Sequence, residues 1–387
     1  MDLRAHFSRF LSAQPGRLHF AAHSHHPWPD VTREAQIRAW DEAARLQDDK
    51  WEAVLGPLMA ACRAHVAGHL NLPDPGTLAF APNTHDFVRR ILSCMPAGRA
   101  TRVLTTDGEF HSFARQAARL EEEGLIAVTR VASEPGGDCV ARLVEAARRG
   151  SDGRGFDLIW VSEVFFHSGY ALTGLEALAE AAGEAVLVID GYHAFMARPV
   201  DLSRIAHRAF YTAGGYKYAM AGEGCCFLHC PPDLLPRPRD TGWYAAFGAL
   251  AASDGGVGYA EGGNRFLGAT FDPSGLYRLD AVMRWFAEQG LTAAAVHDHA
   301  VALQERFCAG LVGTGLDPAR LAMPLSEPNR GNFLAFDLDD AEAWQARLHA
   351  AGIVTDRRGR RLRFGFGPYQ TGEEVDAALD RIRRLSS

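Results

Sequence analysis

Lysine is almost missing from this chain. Of its 40 basic residues only Lys50 and Lys217 are lysines. A basic excess is missing too. The net charge is −7, which argues against nucleic acid as a partner. No run reaches the roughly 18 apolar residues that a membrane span needs. The opening segment MDLRAHFSRFLSAQPGRLHF is amphipathic and lacks the continuous apolar stretch of a secretory signal. Internal repeats and low-complexity blocks are absent. The seven cysteines (Cys62, Cys94, Cys139, Cys225, Cys226, Cys230 and Cys308) are odd in number and scattered. That pattern predicts reduced thiols in a cytoplasmic protein rather than a disulfide framework.

What is present is a globular composition, 47% hydrophobic and 22% charged over 387 residues. That length predicts two or three domains with a sizeable core. Helical periodicity runs over 31–70, 84–95, 112–123 and 138–149. Between the helices lie short apolar runs: TLAFA (77–81), RVLTT (102–106), IAVTRV (126–131), DLIWVS (157–162), AVLVID (185–190) and RAFYTA (208–213). Strands alternating with helices predict an α/β fold, a mainly parallel sheet with helices on both faces. After about residue 275 a long helical stretch (276–312) precedes GNFLAFDL, a helix at 340–351 and RLRFGFG. This order predicts a smaller C-terminal α+β domain. The expected division is an N-terminal segment 1–45 joining the small domain and the site mouth, a large domain 46–275, and a small domain 276–387.

A parallel sheet presents ligands to the carboxyl ends of its strands. The segments just beyond the apolar runs are therefore the ones to read. Asp190 ends AVLVID, and Lys217 follows a later run inside TAGGYKYAMAGEG. A buried amine and a carboxylate at neighbouring strand ends suit pyridoxal-phosphate (PLP) chemistry. The amine bonds the cofactor as an imine, and the carboxylate keeps the pyridine nitrogen protonated. Arginine cannot replace that amine, because it stays protonated. Alone, a strand-ending Asp is usually an N-cap or turn and a Lys in a Gly-rich loop is usually solvated; together they are more specific. Asn83, Thr84 and the start of the 84–95 helix supply donors for a phosphate, since a helix N-terminus attracts anions, although Pro-Asn-Thr is also an ordinary N-cap.

The segment VIDGYHAFMARPVDLSRIAHRAFYTAGGYKYAMAGEG (188–224) resembles, in order and spacing, the class V aminotransferase group of fold-type I PLP enzymes. Within that group the chain is most similar to kynureninase, over nearly its whole length. The resemblance implies a PLP-dependent transferase fold and PLP as cofactor. It assigns Lys217, Asp190 and His193 as catalytic. Asp190 would face the pyridine nitrogen and His193 the 3-oxygen. Phe110 would stack on the ring, with Asn83, Thr84, His85 and Tyr216 around the phosphate. Trp243 would border the cofactor, and Thr270 would reach the phosphate from a partner subunit, which implies a homodimer with shared sites. Arg363 would grip the substrate carboxylate, and a guanidinium forks onto a carboxylate with two hydrogen bonds. The implied reaction is hydrolytic Cβ–Cγ cleavage of a small α-amino acid.

Two departures leave the substrate open. Kynureninases carry an Asp where this chain has Phe113, and their N-terminal site segment is here AAHSHHPWP, with His23, Ser24 and His25 at the expected mouth. Other readings stand beside the main one. HSHH (23–26) or the Cys225–Cys230 cluster is a conceivable zinc site, but neither has a paired spacing, and CCFLHC reads more simply as a buried strand. No metal is expected. A persulfide-forming desulfurase would need a loop cysteine, and GTGLDPARLAMPLSEPNRGN (313–332) has none. An aminotransferase, a C–S or β-eliminating lyase and an inactive binding protein share the same cofactor residues.

Overall fold

A computed structural model describes residues 3–247 and 256–386. After a two-residue strand β1 (Leu18–His19), seven strands assemble one sheet. They are β2 (Leu78–Ala81), β3 (Thr101–Thr106), β4 (Ile126–Val131), β5 (Leu158–Ser162), β6 (Val186–Asp190), β7 (Ala209–Gly214) and β8 (Cys226–His229). Their spatial order is β2-β8-β7-β6-β5-β3-β4. β8 runs antiparallel to both β2 and β7, and the other pairings are parallel. β5, β6 and β7 are buried along their whole length. This explains why they read as continuous apolar runs and not as alternating ones. The CCFLHC run, read above as a buried strand, is β8.

Helices cover this sheet. The helix Thr84–Ser93 packs against β2, β7 and β8, and Cys139–Arg149 packs against β3 and β4. The periodicity over 31–70 does not become one helix. It is cut into Val31–Leu46 and Met59–Leu70, with short turns between. Gln47 takes φ 49, and Gly56 leaves helical geometry just before Pro57. Proline has no N–H to give and its ring crowds the preceding turn, so the ladder breaks there.

The second layer of the molecule contains β9 (Phe333–Asp337), β10 (Ile353–Val354), β11 (Asp356–Arg358) and β12 (Arg361–Gly365). β11, β12 and β9 form an antiparallel sheet in that order, and β1 pairs in parallel with β10. The N-terminal segment is thus stitched to the C-terminal part, with a further bridge from Ala21 to Gly365. A second apolar core gathers Phe20, Phe307, Phe336, Phe364 and Phe366. The helix Ser274–Glu288, placed by sequence with the small domain, is packed into the larger core instead; its partner there is the helix Val31–Leu46. No helix of the described residues is long and apolar enough to cross a membrane.

Candidate active site

The carboxyl ends of β2, β3, β5, β6 and β7 point their following segments at one cavity of about 260 Å³. Its wall includes Asn83, Thr84, His85, Phe110, Asp190, His193, Tyr216 and Lys217, eight of the residues expected from sequence. It also includes Ser112, Ser162, Val164, Phe166, Tyr192, Glu223 and Cys226, which the sequence reading does not single out. Tyr192 follows two residues after Asp190, just beyond the apolar run that becomes β6, so its position is a usable signal. Cys226 begins β8, whose antiparallel pairing with β7 sets it opposite Gly214 at the cavity end of the sheet, and no local pattern shows that.

Lys217 is buried, and its Nζ lies 2.6 Å from His193 Nε2. The amine sits over three rings, 5.0 Å from the centre of Tyr192, 5.3 Å from Phe110 and 5.8 Å from Tyr216. Burial lowers its basicity, and Asp190 only partly opposes this. Burial, and after it the Lys217 charge, holds His193 well below its ordinary value, so its imidazole is neutral. Asp190 is buried at the end of β6, where its carboxylate accepts from the Tyr192 N–H at 3.0 Å. Burial raises its pKa. Among the described residues it makes no close ion pair, and the Lys217 charge only partly offsets its burial, so a cationic group entering the cavity beside it would be stabilised. Asn83 caps the helix Thr84–Ser93 by accepting from Asp86 N at 3.0 Å. The amides that begin this helix border the cavity and suit an anion.

Beside the wall residue Ser162 two buried carboxyls, Glu109 and Glu163, are harder to ionise than usual. Glu109 accepts from Thr106 Oγ1 at 2.5 Å and from Ser162 Oγ at 2.6 Å. Burial outweighs both hydrogen bonds and pushes its pKa up to about 8. Glu163 accepts from Tyr211 at 2.8 Å, and burial pushes it up to about 7. Phe113, standing where kynureninases carry an Asp, stacks on Trp160 with ring centres 4.5 Å apart and planes 2° apart. It is buried in the main apolar core.

The remaining expected residues lie apart from this wall. Trp243 and Thr270 are exposed and hydrogen-bonded to each other, Nε1 to Oγ1 at 3.2 Å. Within one chain neither borders the cavity. His25 is exposed with its ring 5.8 Å from Tyr216, and Ser24 Oγ is 3.4 Å from His25 Nδ1, which places both at the rim. His23 is fully buried; it stacks on Phe333 at 4.5 Å and its Nε2 is 3.3 Å from Asp356. Arg363 is buried too, and its Nε and Nη2 each donate to Asp356 at 2.5 Å, while Nη1 donates to the carbonyl of the wall residue Phe166. His26 is buried, with its Nδ1 2.7 Å from the carbonyl of Pro27 and its ring against Tyr369. Among the described residues no cluster of His, Cys, Asp or Glu is placed to hold a metal, and the cysteines are free thiols.

This architecture defines a class. The sheet order, the second small sheet and the cavity at the strand ends are the fold of the class V, fold-type I PLP-dependent enzymes. The cysteine desulfurase of Thermococcus onnurineus NA1, solved in its apo form, superposes with a TM-score of 0.80 at 17% identity, covering 96% of this chain and 94% of that one. A variant of C-DES carrying glycine covalently linked to its PLP cofactor superposes at 0.83 with 19% identity and 99% of each chain covered. The cysteine desulfurase CsdA of Escherichia coli gives 0.77 at 18%, covering 98% and 96%. In sequence, residues 296–382 match the kynureninase C-terminal domain family. No curated protein sequence matches the chain.

Proposed function

We propose that this chain is a PLP-dependent lyase of small amino acids, cleaving a bond of the substrate side chain by β-elimination. The observation that carries the reading is the convergence of Lys217 and Asp190, from the ends of β7 and β6, on one cavity that also holds Phe110 and a helix N-terminus. Those residues fit the cofactor. Thr84, Asn83 and the first amides of the helix Thr84–Ser93 would take the phosphate, Phe110 a ring face, Asp190 the ring nitrogen and Lys217 the aldehyde carbon. Bound PLP supplies an electron sink for charge that develops at the substrate Cα.

The protein groups then have defined tasks. Lys217 Nζ, lowered in basicity by burial, accepts the Cα proton at neutral pH, where an ordinary lysine would already be protonated. Neutral His193, 2.6 Å away, can pass a hydrogen bond to that amine without adding charge. Arg363 receives the substrate carboxylate. The fold relatives favour a C–S bond as the one broken, since they include C-DES, described as a cystine C–S lyase, in complex with its product cysteine persulfide. The loop 313–332 lacks the cysteine that a persulfide-carrying desulfurase needs. A second reading, hydrolytic Cβ–Cγ cleavage of the kynureninase kind, is supported by the match over residues 296–382. The exposed pair Trp243 and Thr270 supports a homodimer in which they reach a partner's phosphate site. Purified protein incubated with PLP and a panel of amino acids decides among these. Pyruvate with sulfide from cysteine, or pyruvate with cysteine persulfide from cystine, supports elimination. Anthranilate and alanine from kynurenine support the second reading. Transfer of the amino group to a keto acid, with neither product set, contradicts both.

A further inference from the structure

The antiparallel register of β11 and β12 sets Asp356 directly opposite Arg363. The Asp356 carboxylate takes the Nε–Nη2 edge of the guanidinium with two contacts of 2.5 Å, the same two-pronged geometry that a substrate carboxylate would seek. Around Asp356 stand His23 Nε2 at 3.3 Å and Arg358 Nη1 at 3.3 Å. Burial works against the Asp356 charge, but His23 and Arg363 outweigh it and hold the carboxyl below its ordinary range. His23 itself is pushed down to about 4, by burial first and then by Arg363. The Nε–Nη2 fork of Arg363 is therefore already filled by a carboxylate, which Arg358 also approaches from its other side. Among the described residues the one other acceptor of Arg363 is the Phe166 carbonyl.

We propose that Asp356 is a specificity-determining residue: an internal carboxylate that fills the Arg363 fork, so that a substrate carboxylate must compete with it and amino compounds without a carboxylate are penalised little. This rests on the reading of Arg363 as the carboxylate grip. An incoming carboxylate meets an arginine whose two-pronged edge is already occupied, and a second anion beside Asp356 is repelled by it. If Asp356 is replaced by Asn, an acceptor oxygen and the side-chain shape remain while the competing charge is gone.

The holoenzyme is titrated with L-alanine and with ethylamine, two amines that differ by a carboxylate, following the visible absorbance of the bound cofactor. In Asp356→Asn the affinity for alanine is expected to rise about tenfold while that for ethylamine stays within about twofold. Asp356→Glu, which keeps the charge, should stay near the parent protein. Weaker alanine binding in Asp356→Asn, or an equal change for both ligands, overturns the proposal. Should that variant fail to fold, the parent protein decides: an alanine preference over ethylamine below about tenfold supports the proposal, and any larger preference overturns it. Arg363→Ala separates the two layers. If it leaves both affinities unchanged, the grip reading fails and takes the proposal with it. If it erases the alanine preference while Asp356→Asn gains nothing, the proposal alone fails.

Discussion

Lys217 is held in a pocket that lowers its basicity, and that has a consequence in solution. Cofactor-free protein should capture PLP at a rate that rises with the neutral fraction of this amine, and so reaches half its maximum well below the pH where an ordinary lysine titrates, near 10.5. A stopped-flow pH series checks this; a midpoint close to 10 would contradict it. Lys217→Ala should abolish turnover and the cofactor's protein-bound absorbance, and full activity in that variant would sink the mechanism. Glu109 makes a prediction about stability. Its pKa rises from 4.5 in an exposed carboxyl to about 8 here. Between those values the folded state holds a proton that the unfolded state has lost, so folding stability falls as pH rises through that window. Glu109→Gln removes this penalty. Its melting temperature relative to the parent protein should climb from pH 5 to pH 8. A constant difference across that range would show that Glu109 is ionised throughout.

At the scale of elements, Phe113 shows how a site residue becomes packing. It lies on the helix His111–Glu122 and stacks on Trp160 of β5. Phe113→Ala should cost about 3–5 kcal/mol in denaturant unfolding, and Phe113→Asp more, because a carboxylate would be buried without a partner. A loss below about 1 kcal/mol for the alanine variant would mean the stack carries no weight. The strands of the large sheet were legible because each is a short apolar run ended by turn residues, and the ligand-bearing ends follow from parallel order alone. That logic reached Asp190, Lys217 and Thr84. It did not reach Asp356, because pairing it with Arg363 depends on the register of a hairpin whose strands are only three and five residues long. The break at Gly56-Pro57 was visible in the sequence and simply outweighed by the apolar spacing on either side.

The described residues join two large apolar cores, with the N-terminal segment pinned to the second through β1 and Phe20. This long-range stitching has no local signature beyond the segment's composition, yet it sets His23 and His25 near the site. Trp243 and Thr270 face outward, which makes assembly part of the account. Light scattering should give twice the mass of 42.1 kDa. Thr270→Ala should weaken PLP retention although the residue lies outside its own chain's cavity. A monomer with full cofactor affinity would contradict the shared-site proposal. The most direct test of the central claim is chemical. Protein loaded with PLP is reduced with borohydride, digested and sequenced by mass spectrometry, which leaves the cofactor fixed to whichever amine held it. The account predicts the label on the peptide containing Lys217. A label on Lys50, or none in protein that shows a bound-cofactor spectrum, would contradict it.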